Sequence, residues 1–89
     1  MVSETTKPKR SRSSHAKEDA RLVNVLADAA MEYLKLVVSE SAAEAAFFAS
    51  PNSTELHRAW GDCIPFTAAA AQSLLSASRA LYDHRNGAR

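Results

Sequence analysis

The sequence predicts an all-α fold: a small helical hairpin or three-helix unit with a long helix, a short helix and a closing helix, completed as a bundle by oligomerisation. Three observations predict it. Apolar residues make up 46% of the 89 positions, yet only two glycines and three prolines interrupt them, which suits helices far better than strands and turns. The apolar residues recur at helical spacing, with no alternation of the strand kind. And the leading helix carries more apolar circumference than one neighbour can cover.

The chain divides by composition into a basic tail over residues 1–17, a helical domain over 18–84 and a frayed end over 85–89. Apart from Val2, the tail is almost entirely Ser, Thr, Lys, Arg and Pro. It buries too little apolar surface to offset the entropy of ordering, so disorder is expected. Five Lys or Arg stand against Glu4 there, a net of +4, while the remaining chain carries six against nine, a net of −3. A basic arm joined to a mildly acidic body is the result.

The first helix is expected from about Glu18 to Phe48, with Glu18 and Asp19 at the positive end of its dipole. Arg21, Asn24, Asp28, Glu32, Lys35 and Ser39 fall on one narrow polar stripe. The rest of the circumference is apolar, about twice the arc of an ordinary surface helix. Leu22, Val25, Leu26, Ala29, Tyr33, Leu34 and Val37 are the candidate interaction face. Past Val38 the pattern changes, because Glu40 and Glu44 project where Leu22 and Leu26 did. The helix is expected there to leave the core, to bend or to meet a partner's cation. Pro51 ends it, since the residue before proline avoids helical angles. Asn52 with Glu55 has the form of a capping box for a short helix through Trp60, which Gly61 would stop. The closing helix is expected to start near Pro65, with Phe66, Ala70, Leu74, Ala77 and Leu81 on its inner face and Gly87 as a late stop.

Chemical candidates are few. "WGDCIPF" holds the only tryptophan, the only cysteine and Gly61. A nucleophilic Cys63 would need a base such as His57 or His84, oriented by Asp62 or Asp83, but no Gly-rich elbow or Cys-x-x-Cys surrounds it. The expected role of Cys63 is a small hydrophobe at a helix corner, with Trp60 and Phe66 covering that corner. His57, Asp62, Cys63 and His84 match no paired zinc spacing, so no metal and no cofactor is expected. One cysteine forms no internal disulfide, the first residues lack a signal-type apolar core, and no run is apolar enough to span a membrane. An intracellular protein, cytoplasmic or nuclear, is the expectation.

Two functions follow as expectations. The first is a non-enzymatic interaction or assembly subunit whose partner is its own copy or another helical protein. The alternative is a nucleic-acid-associated protein, histone-like or architectural, whose Lys7, Lys9, Arg10, Arg12 and Lys17 neutralise phosphates without reading sequence. "PKRSR" also resembles a nuclear-localisation signal, and Ser13 and Ser14 beside Arg10 and Arg12 could be phosphorylated.

Overall fold

The computed structural model describes the backbone of residues 2–87 and the side chains of residues 14–87. It is all-helical, two helices in a hairpin: α1 over Val2–Ala49 and α2 over Thr54–Arg85. The separate short helix of the sequence expectation is absent, because α2 runs unbroken through Gly61 and Pro65. Proline inside a helix removes one hydrogen bond and crowds the carbonyl four residues back, which here belongs to Gly61. Gly61 is not in the left-handed conformation that a helix stop would need. The segments on both sides of Pro65 are held against α1, by Trp60 and Cys63 before it and Thr67 and Ala70 after it. Tertiary packing therefore carries the helix across a local breaker.

The connection is tight. Ser50 N–H donates to the carbonyls of Ala46 and Phe47, and Ser53 N–H donates to Ser50 O at 3.0 Å. The N-cap of α2 is Ser53, one residue later than the expected Asn52. Its hydroxyl accepts from Leu56 N–H at 3.2 Å, and Glu55 adds a negative charge to the first turn. At the far end Asn86 caps α2 and Gly87 follows with φ 72°, the left-handed stop expected of it.

The outer boundaries differ from the expected ones. The helical backbone of α1 includes the segment that composition assigns to a disordered arm. The side chains of Lys7, Lys9, Arg10 and Arg12 lie outside the described residues, as do residues 88 and 89. From His15 onward α1 is engaged with α2. His15 and His84 face each other with ring centroids 5.2 Å apart, and the backbone carbonyl of His15 lies 3.3 Å from His84 Nε2. Arg85 donates two hydrogen bonds to Asp19, at 2.7 and 3.0 Å. Lys17 and Arg85 are both helical, where a tail and a frayed end are expected.

The seam between the helices follows a 3.5-residue repeat. On α1 it comprises Leu22, Leu26, Ala29, Tyr33, Leu36, Glu40, Ala43 and Phe47, spaced alternately by four and three. On α2 it comprises Leu56, Trp60, Cys63, Thr67, Ala70, Leu74, Ala77, Leu81 and His84, spaced the same way. Every one is buried or half-buried. Such spacing keeps one stripe of each helix on its partner. Glu40 and Glu44 therefore mark neither a departure nor a bend; both are half-buried beside α2, without an ion pair among the described residues. Contacts at the two ends, His15 with His84 and Phe47 with Trp60, bracket the register. They put Tyr33 at the level of Ala70 and Leu26 at the level of Ala77, so large residues meet small ones.

Candidate interaction face

Two helices side by side make a hairpin with little interior. Among the described residues only Leu22, Ala70, Ala77 and Leu81 are buried, and no large side chain is fully enclosed. The radius of gyration is 20.9 Å, against about 12 Å for a compact domain of this length.

The seam repeat divides the remaining surface into two sides. With seam positions named a and d, the e flanks of an antiparallel pair lie together on one side and the g flanks on the other. On α1, e and b positions include Val23, Ala27, Ala30, Leu34, Val37 and Phe48, and the outermost f positions add Met31 and Val38. On α2, e and b include Gly61, Ile64, Ala68, Ala71, Leu75, Ser78 and Tyr82, with His57 and Arg85 at the two ends. Eight of the ten exposed large apolar side chains belong to this set; Val25 and Phe66, on the g flanks, are the exceptions. Met31, Leu34 and Val38 are 60 to 68% exposed, and Leu75 and Tyr82 are exposed to the same degree. Between Ala20 and Ser41 on α1, and between Gly61 and Tyr82 on α2, no e or b position carries a charge, nor does any f position on α1. Apart from Glu40, half-buried in the seam, the charges of these stretches stand on the other side or the outer edge: Arg21, Asp28, Glu32, Lys35, Asp62 and Arg79, all exposed.

The seven residues predicted as an interaction face thus separate. Leu22, Leu26, Ala29 and Tyr33 are spent on the hairpin's own seam. Val37 is half-buried on the e flank, Leu34 is exposed on the apolar side, and Val25 is 41% exposed on the charged side. Met31, Val38, Ile64, Leu75 and Tyr82 are the other large apolar residues exposed along this side. The distinguishing signal was the 3.5-residue repeat, which tells a seam inside the hairpin from a second stripe outside it. Shallow hollows at the outer edge of the hairpin are each lined by one helix: Met31, Leu34, Lys35, Val38 and Ser39 on α1, and Leu75, Ser78, Arg79, Tyr82 and Asp83 on α2.

The residues weighed for chemistry are scattered. Cys63 is half-buried in the seam, with Thr67 Oγ1 donating to its backbone carbonyl at 3.2 Å. His57 packs at a tilt against Phe47, 5.1 Å between ring centroids. His84 lies at the opposite end of the hairpin, beside His15. Among the described residues no three His, Cys, Asp or Glu converge as metal ligands, and no helix is long and apolar enough to cross a membrane. Trp60 packs between Phe47 and Phe48 at 5.5 and 5.6 Å, and its indole N–H is buried without an acceptor. Phe66, expected beside it, is 65% exposed instead. Comparison with known proteins finds no matching family model, no matching curated protein and no matching solved structure.

Proposed function

We propose that this chain is a non-enzymatic helical assembly subunit, working by seating a second helical layer on the apolar side of its hairpin. The observation that carries the reading is the continuous charge-free stretch on both helices, exposed in the single hairpin. Domains are ordinarily built from at least two packed layers, and this chain supplies one. Its own copy or a helical protein partner supplies the other.

Thermal unfolding over a hundredfold range of protein concentration tests this. The midpoint should rise with concentration, because association stabilises the folded state by mass action. Leu34→Asp should remove that dependence. On a lone hairpin the same exposed change would shift stability by only about 0.5 kcal/mol. A midpoint indifferent both to dilution and to a charge at residue 34 would overturn the reading.

The separation of charge, +4 over residues 1–17 against −3 beyond, supports a second role for the arm. Lys7, Lys9, Arg10, Arg12 and Lys17 would attract nucleic acid non-specifically while the hairpin assembles. Binding that ignores both salt and the neutralisation of those five residues would remove this role.

A further inference from the structure

Resting on the assembly reading, we propose that the layer covering the apolar side is a second copy of this chain. Its twofold axis runs parallel to the helices, so that α1 of each copy lies on α2 of the other. Three observations point there.

The first is size. The paired region is the length of α2, 32 residues, or about 48 Å at 1.5 Å per residue. With a hairpin width of 18 Å the face measures roughly 900 Å² per copy, close to the ~800 Å² each partner gives a stable interface. A second hairpin covers it from end to end.

The second is charge. The face carries no charge through its central stretches, so it offers nothing to an acidic or basic partner, and an identical face brings no unpaired charge into the joint.

The third is shape, and it selects the axis. At the middle of the hairpin α1 presents Met31 and Leu34, while α2 at that level presents Ala68 and Ala71; Val38 lies toward the turn at the level of Ile64. Nearer the open end α2 presents the larger residues, Leu75 and Tyr82, and α1 presents Ala27 and the less exposed Val23. An axis parallel to the helices preserves level and exchanges α1 for α2. Met31 and Leu34 of one copy then meet Ala68 and Ala71 of the other, and Leu75 meets Ala27, as close packing requires; Val38 meets Ile64 toward the turn and Val23 meets Tyr82 toward the open end. An axis across the helices would set α1 on α1, with Leu34 meeting Leu34 and the alanines left underfilled.

Disulfide trapping in the full chain tests the arrangement. On a Cys63→Ala background, Leu34→Cys and Ala68→Cys are made separately, then refolded together and oxidised. Both sites are exposed in the single hairpin, so neither change disturbs its seam, and helicity by circular dichroism verifies folding. The expected result is a mixed disulfide between the two variants, with little dimer from either variant alone. A Leu34→Cys homodimer as the main product, with the protein dimeric by mass, would overturn the parallel axis and leave the assembly reading standing. Folded, dimeric variants that form no mixed disulfide would overturn this pairing also. A single-chain mass for the unmodified protein at every concentration would overturn both.

Discussion

At the residue scale, the turn between the helices separates two neighbouring candidates. Ser53, not Asn52, caps α2 through its hydroxyl, so Ser53→Ala should cost about 1 kcal/mol and Asn52→Ala little, measured by denaturant unfolding. The capping-box form of Asn52 and Glu55 was readable but placed one residue early, because two adjacent polar residues both suit a cap and only backbone geometry chooses between them. The open end of the hairpin is fastened by Asp19 and Arg85. Hydrogen bonds from the Arg85 guanidinium, and then its charge, hold the Asp19 carboxyl below its ordinary value. A depressed carboxyl pKa contributes stability that is fully present above the unfolded value, about 3.9, and is lost as pH falls through the lower folded one. Protection of the amides in the helix ends around Asp19 and Arg85, taken relative to the intrinsic exchange rate at each pH, should therefore fall below about pH 4. Asp19→Asn should show fast exchange there at neutral pH and a smaller acid response. Equal profiles for the two proteins would deny the pair any role. No sequence rule matched these two residues, since they lie 66 positions apart.

At the scale of the element, α2 shows where local rules lose. Gly61 and Pro65 are both ordinary helix punctuation, and reading them so divided one helix into two. The seam residues on either side of them, spaced alternately by four and three, are the competing signal, and tertiary packing outweighs a local cost of about 3 kcal/mol. Pro65→Ala should accordingly stabilise the protein by roughly 1–3 kcal/mol, less the stiffening that proline gives the unfolded chain. A lower midpoint for that variant would mean the helix depends on a bend at this point. In α1 the breadth of the apolar arc was legible, and so was the polar stripe from Arg21 to Ser39, exposed throughout. The division of that arc was not. At 100° per residue the positions of a 3.5-residue seam drift across the wheel, so Leu26 and Leu34 seemed equivalent. One faces α2, and the other stands 60% exposed.

At the scale of the whole molecule, the excess of apolar surface over what a hairpin shelters was visible before any coordinates, because it depends only on counting residues around a helix. What covers that surface was not visible, since it turns on which flanks of two helices come together. The hairpin places them on one side and leaves the charges of their central stretches, Glu40 in the seam excepted, on the other side and the outer edge. A small number of buried side chains is a weak core for a chain of this size, and a second layer would supply the missing burial. The most direct measurement is sedimentation equilibrium of the intact chain across a wide range of dilution. The unmodified protein should have twice the single-chain mass of 9.6 kDa, dissociating only on strong dilution, and Leu34→Asp should sediment as one chain. A well-folded single chain of the unmodified protein over the entire range would contradict the account.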